Sequence, residues 1–329
     1  MSAYPTWLSE LKTAVYRRPR DRWRKLQRWG PRAVLRLPAW QRRMERAAEA
    51  LPPPTPGDRT TPPLGVWMLT GERFWYQSAF CAWTLARHSD RRIVLHLIDD
   101  GTLTLPLEQK LRRLFPEGTT LCREKAFTEF RDCLPVSRYP TLHRRWNDYI
   151  NIHKLTGAHL GGGGVKLVLD SDMLFFRRPD ALLAWWDAAV ADPCGEVGRS
   201  PCLMVDCEES YGYSPALMEE LAGAPIVPLL NVGICGLSSS SIDWDLLEHW
   251  CTVLEAREGT SYFLEQALVA MLAARFQPVV MPRRDYITFP TSAQSVRGDG
   301  VLQHYVADSK PWYFDVAWER ARALAGVMA

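Results

Sequence analysis

An α/β fold, a largely parallel sheet with helices on both faces, is the class this 329-residue chain predicts. Three observations point to it. From residue 65 onward, short apolar segments alternate with longer segments of helical spacing. One of the short ones, Val165-Lys166-Leu167-Val168-Leu169, runs directly into Asp170-Ser171-Asp172. Acidic or glycine-acidic pairs also close other strands, and the carboxyl ends of strands are where open α/β sheets bind ligands.

The N-terminus stands apart. Residues 1–60 hold 14 Lys+Arg against 5 Asp+Glu, a balance of +9; the whole chain is +3, which leaves −6 for residues 61–329. Trp7, Leu8, Leu11 and Val15 fall at helical spacing, and Trp23, Leu26 and Trp29 sit among Arg22, Arg24, Lys25 and Arg28, with Arg42, Arg43 and Arg46 beyond. Residues 1–50 therefore read as a basic amphipathic helical extension. Two readings of it stand side by side: an interfacial helix on an anionic membrane surface, or a helix packed on the body with its arginines in solvent. Nucleic acid is not an expected partner, because no binding motif accompanies the charge. Pro52, Pro53, Pro54, Pro56, Pro62 and Pro63 make residues 51–64 a semi-rigid linker, and residues 65–329 form the globular domain.

Within that domain Gly65 to Thr70 reads as a strand, Phe74 to His88 as a helix carrying Phe80, Trp83 and Leu85, and Arg92 to Ile98 as a second strand ending in Asp99-Asp100-Gly101. A helix around Leu107 to Leu114, a short strand near Thr119 to Cys122 and a long, largely helical stretch from Leu142 to Leu160 follow. The turn-forming Gly161 to Gly164 then leads into the Asp-x-Asp strand. No G-x-G-x-x-G and no P-loop follows the first strand, which argues against a dinucleotide dehydrogenase or a P-loop NTPase.

Composition sets the background. Hydrophobic content of 47% and charged content of 23% are those of an ordinary soluble globular protein. No uninterrupted apolar stretch approaches the roughly 20 residues that span a bilayer, and the N-terminus shows no secretory pattern. The eight cysteines form no Cys-x-x-Cys pair and no zinc spacing. The expectation is reduced thiols in a cytoplasmic enzyme, peripheral on the inner face of the membrane if the basic helices lie on lipid.

The Asp-x-Asp pair carries the chemistry. Strand side chains alternate, so Asp170 and Asp172 share a face if extended geometry holds, with Ser171 turned aside. Two carboxylates so placed repel unless a cation joins them, and hard oxygen ligands favour Mg²⁺ or Mn²⁺, with open positions left for substrate phosphates. On the pair alone, a competing reading is two turn or N-cap carboxylates.

Three further segments extend the pattern: Leu230-Asn231-Val232-Gly233-Ile234-Cys235-Gly236-Leu237, an apolar strand; Glu265-Gln266-Ala267-Leu268, opening a helix; and His304-Tyr305-Val306-Ala307-Asp308-Ser309-Lys310-Pro311-Trp312. With the Asp-x-Asp strand, this order resembles glycosyltransferase family 8, retaining enzymes of the GT-A fold related to glycogenin and bacterial lipopolysaccharide galactosyltransferases. That family carries Leu-Asp-x-Asp, then an Asn-x-Gly strand, an acidic-Gln pair and His-x-x-Gly-x-x-Lys-Pro-Trp, and the resemblance spans residues 65–315. It implies a GT-A Rossmann-like mixed, mostly parallel sheet. It implies Asp170, Asp172 and His304 as ligands of Mn²⁺ (or Mg²⁺), and a nucleotide diphosphate sugar, expected to be a UDP-sugar, as donor. Lys310 and Lys154 would meet the donor's pyrophosphate; Asn231 and Gly233 would line the sugar pocket. Gln266 would lie beneath the anomeric carbon, with Glu265 holding sugar hydroxyls. Two departures stand out. The aspartate expected soon after the first strand is replaced by Thr70-Gly71-Glu72, so Thr70 and Glu72 become the donor-binding candidates there. The glycine expected between His304 and Lys310 is absent, with Ala307 and Asp308 in its place.

The reaction so implied moves a sugar to an acceptor hydroxyl, on a saccharide or glycolipid, with retention. Double displacement needs a carboxylate nucleophile under the ring, and Gln266 is a poor one, so a same-face route is expected. Two alternatives remain. A haloacid dehalogenase-type phosphatase would also place Asp-x-Asp at a strand end, with Asp99-Asp100 as its second acidic pair. A nucleotide-sugar-binding protein at a membrane surface, weak or inactive in catalysis, would account for the departures.

Overall fold

The computed structural model describes residues 18–55 and 57–326. The helix expected from Trp7, Leu8, Leu11 and Val15 lies outside them. Ten strands occur among these residues: β1 (Leu64–Thr70), β2 (Ile93–Asp99), β3 (Thr119–Leu121), β4 (Val165–Leu169), β5 (Met173–Phe175), β6 (Cys202–Val205), β7 (Leu230–Ser238), β8 (Val279–Val280), β9 (Tyr286–Thr288) and β10 (Leu302–His304). Seven form a mixed sheet in the order β3-β2-β1-β4-β7-β6-β8. From β3 to β4 neighbours are parallel; β7 runs antiparallel to both β4 and β6. The other three form a small sheet, β5-β10-β9.

Alternation, interrupted in β7 where its register with β6 shifts, sorts the side chains into two cores. Leu64, Val66 and Met68 of β1, with Leu167 and Leu169 of β4, pack on one side against helix Trp75–Ser89. Val168 of β4 and Val232 and Cys235 of β7 pack on the other, against helices Ile152–His159, Trp244–Glu258 and Leu264–Ala274. All nine residues of β7 are buried, since it has a neighbour on each edge and a core on each face. Truncating a side chain as enclosed as Trp83 to alanine would cost about 3–5 kcal/mol.

Two segments differ in detail from expectation. The helical stretch from Leu142 to Leu160 is two helices, Pro140–Asp148 and Ile152–His159, parted where Tyr149 adopts an extended backbone and its hydroxyl donates to the Tyr262 carbonyl at 2.6 Å. That break turns Tyr149 and Asn151 toward a cleft. The N-terminal helix Arg18–Glu49 is bent at Gly30-Pro31. Its C-terminal end is part of the body: Met44 and Ala48 are buried in the first core with Leu51, Trp75 donates to Glu45 at 3.1 Å, and Trp83 donates to the Pro52 carbonyl at 2.8 Å. Among the described residues no helix is long and apolar enough to cross a membrane.

Candidate active site

The carboxyl end of β4, the start of β7 and the end of β10 converge on one cleft of about 430 Å³. Two backbone bonds set the Asp170 and Asp172 carboxylates. The Asp170 N–H donates to the Gly233 carbonyl at 2.9 Å, continuing the β4–β7 pairing one residue past the strand, and the Asp172 carbonyl accepts from Tyr305 at 2.9 Å. Ligand atoms of Asp170, Asp172 and His304 thereby lie within 4.8 Å of one another.

His304 is 2% exposed, and its surroundings fix the role of its Nδ1. Asn231 Oδ1 accepts the Gly233 N–H at 2.9 Å, while Asn231 Nδ2 donates to Asp206 Oδ2 at 2.9 Å, so the amide has one satisfactory orientation. His304 Nδ1, 3.1 Å from Asn231 Oδ1, is then the protonated donor. The other nitrogen, Nε2, lies 3.2 Å from Asp172 Oδ1 and 3.6 Å from Asp170 Oδ2, buried and without a hydrogen-bond partner. In its neutral form the imidazole presents a lone pair there to two carboxylates. A cation shared by all three groups satisfies every one of those lone pairs, and neighbouring ligands of such an ion lie about 3 Å apart. Asn231 and Asp206 are the outer partners that such a histidine ligand requires. Gly233 makes room for the ring: a Cβ there would stand 2.5 Å from His304 Nδ1.

Two ammonium groups balance the acidic cluster. Lys154 Nζ is 2.8 Å from both Asp170 Oδ1 and Glu265 Oε2, and Lys310 pairs with Asp172. Burial would neutralise Lys154, but its two carboxylates outweigh burial and keep it charged. Glu265 is pushed up to about 7, first by burial and then by Asp170, against the pull of Lys154. Burial also favours protonating Asp172, yet the Lys310 ammonium reverses this and holds it well below the usual carboxylate range. Gln266 donates from Nε2 to the Ser210 carbonyl at 3.1 Å, leaving its amide oxygen uncommitted.

The cleft thus gathers Asp170, Asp172, His304, Lys154, Lys310, Asn231, Glu265 and Gln266, with Gly233 directly behind the histidine. Thr70 and Glu72, the donor-binding candidates after the first strand, do not line it. Thr70 falls on the core-facing phase of β1 with Val66 and Met68, fully buried, and its hydroxyl accepts from Ser78 at 2.9 Å. Glu72 is exposed on the turn beyond β1, where its N–H donates to Thr102. Sequence reasoning missed Tyr149, Asn151, Asp206, Glu208 and Phe289, all of which line the cleft. Asp206 did leave a signal, since Cys202-Leu203-Met204-Val205-Asp206 is another apolar run closing on a carboxylate. Two of the lining residues, Phe289 (φ 60°) and Ala307 (φ 44°), hold left-handed backbone that non-glycine residues adopt at a cost. Ala307 stands where the resemblance places glycine, and the loop keeps the glycine-type conformation without it.

Neither a family model nor a curated protein sequence matches the chain. Solved structures do. The crystal structure of mouse xyloside xylosyltransferase 1, in its apo form, is 11% identical over 76% of this chain and 99% of its own length, with a TM-score of 0.51. Galactosyltransferase LgtC in complex with donor and acceptor sugar analogues is 14% identical over 80% of this chain and 95% of its own, with a TM-score of 0.47. The likeness to the xylosyltransferase structure is one of fold alone, and it agrees with the GT-A fold that the motif order implied.

Proposed function

We propose that this chain is a metal-dependent, retaining glycosyltransferase that transfers a sugar from a nucleotide diphosphate sugar, UDP in the first instance, to a saccharide or glycolipid hydroxyl. The observation that carries the reading is the buried, unpartnered Nε2 of His304 between Asp170 and Asp172, inside a cleft that also holds two charged lysines. Asp170, Asp172 and His304 would hold Mn²⁺ or Mg²⁺, which supplies charge stabilisation for a departing diphosphate.

The chain's own groups account for the rest. Lys310, paired with Asp172, exchanges that carboxylate for a diphosphate oxygen and stabilises the leaving charge. Lys154 keeps Asp170 and Glu265 aligned from beneath. Gln266 presents its free amide oxygen to the sugar, where a carbonyl dipole steadies positive charge developing at the anomeric carbon without bonding to it. Glu265 is 3% exposed and tied to Lys154, so it is poorly placed as a nucleophile. A same-face departure and attack, with the leaving phosphate taking the acceptor's proton, fits these two residues. At the mouth, Tyr262, Phe263 and Phe289 offer exposed aromatic faces to an acceptor.

The test is a screen of nucleotide diphosphate sugars with and without Mn²⁺, followed by thermal shift and nucleotide release, beside Asp172→Asn. Metal-dependent stabilisation by one nucleotide class, absent in the variant, supports the reading. Stabilisation by none of them sinks it. Trapping a glycosyl adduct on any cleft carboxylate would replace the same-face route with double displacement.

A further inference from the structure

The loop between His304 and Lys310 is held from outside the cleft. Trp29, on the N-terminal helix, donates from its indole Nε1 to Asp308 Oδ1 at 2.9 Å, and the Arg28 guanidinium stands 3.6 Å from Asp308 Oδ2. Lys25 lies over the Trp29 ring, 5.3 Å from its centroid. Asp308 therefore turns away from the cleft toward a basic helix. It is not among the cleft-lining residues, while Val306, Ala307 and Lys310 on either side of it are.

Two backbone conformations point to the same device. Ala307, immediately before Asp308, is left-handed at φ 44°; an alanine stays there when contacts over-determine the loop. Gly30, immediately after Trp29, has φ 77° and ψ 162°, a region essentially confined to glycine. A Cβ at Gly30 would meet nothing within 4 Å, so glycine is needed there for its backbone angles and not for space. This kink directs the first part of the helix onto the loop. The rest is fastened to the body by Met44 and Ala48 in the core and by Arg43, which reaches Glu319 at 3.3 Å and the Trp318 ring.

We propose that the kinked N-terminal helix is a strap that sets the donor-phosphate loop, with Trp29 and Arg28 as positioning residues acting through Asp308 on Lys310. The inference rests on the donor site proposed above. Its occupant is a nucleoside diphosphate with its divalent cation. With the strap fastened, Lys310 is presented at the cleft before the diphosphate arrives; with it released, ordering the loop is charged against binding.

The experiment measures binding of UDP, GDP, ADP and CDP to the full chain in Mn²⁺ by calorimetry, for wild type, Trp29→Phe, Asp308→Asn, the double variant and Gly30→Ala. The nucleotide that binds wild type should bind each single variant about five- to tenfold more weakly. The double variant should be no weaker than either single one, as expected for two ends of one contact. Donor KM should rise to match while acceptor KM stays put, a split that mere loss of folded protein does not produce. The sign at Asp308 is decisive. If its carboxylate only repelled the diphosphate, Asp308→Asn would tighten binding; tighter or unchanged binding overturns the strap, as do effects that multiply in the double variant. Gly30→Ala touches neither partner, so wild-type binding by it likewise counts against the proposal. If wild type binds no nucleoside diphosphate in Mn²⁺, the donor site itself has failed and the strap falls with it.

Discussion

Two acidic pairs close parallel strands of the same sheet, and they have opposite fates. Asp99 and Asp100 end β2, and one oxygen of each is engaged locally. Asp99 Oδ1 accepts the N–H groups of Gly101 at 2.7 Å and Leu103 at 2.9 Å, and Asp100 Oδ1 accepts the Thr102 N–H at 2.9 Å. These are turn carboxylates, satisfied within four residues of their own backbone. Asp170 and Asp172 follow β4 and bond to nothing nearby in sequence. Their partners are Lys154, His304 and Lys310, up to 138 residues away. A carboxylate that caps its own turn has a structural role that needs no ligand. One held by distant charges in a cleft, beside a histidine nitrogen with no partner, is committed to something else. The contrast also weakens the phosphatase reading, which needed Asp99-Asp100 as a working pair.

The largest effect should come from the β4 pair. Asp172→Asn should lower metal-dependent transfer about a thousandfold, whereas Asp100→Asn should change it less than about twofold; initial rates at saturating Mn²⁺ compare them directly. Similar losses in both would erase the distinction. Behind the cleft, Asn231→Leu and Gly233→Ala should each weaken metal affinity about ten- to a hundredfold, one by removing the acceptor for His304 Nδ1 and the other by displacing the ring. Metal titrations followed by protein fluorescence would measure this, and wild-type affinity in both would show that the histidine is not a ligand.

Glu265 sharpens the comparison through pH. Its folded carboxyl titrates near 7 against 4.5 for an ordinary glutamate, so between these values the folded state holds a proton that the unfolded chain has released. Its contribution to stability is therefore complete below pH 4.5 and is lost as pH rises through about 7. The total is about 3 kcal/mol at most. Denaturant unfolding of Glu265→Gln at pH 5 and pH 8 should show this slope removed; an unchanged slope would mean that Glu265 stays ionised throughout. The smallest effect belongs to the turn pair, where Asp100→Ala should cost about 1 kcal/mol of stability and nothing in metal affinity.

The membership of the site was legible in sequence to the extent that local pattern encodes it. Asp170 and Asp172 follow an apolar run whose alternation gives them a common face, and His304 and Lys310 share one short segment. Thr70 shows the converse: it stands at a strand's carboxyl end, but alternation from Val66 and Met68 turns it into the core, where Ser78 takes its hydroxyl. Tyr149 and Asn151 were hidden because a helix break created by a contact with Tyr262 has no local signature.

The sequence by itself determined the α/β class, the order of strands and helices as far as β4, and the carboxylates at the end of β4, because periodicity and turn chemistry are local properties of a chain; the site residues of β7, β10 and the Glu265-Gln266 helix entered through the family resemblance. Only the tertiary structure decided that His304 Nε2 is left without a partner, that Lys154 joins Asp170 to Glu265, and that Asp308 faces Trp29 instead of the cleft. Each depends on which groups 70 to 280 residues apart, or on opposite sides of a strand end, come within hydrogen-bond distance. Long-range burial and charge pairing set those distances, and no local pattern records them.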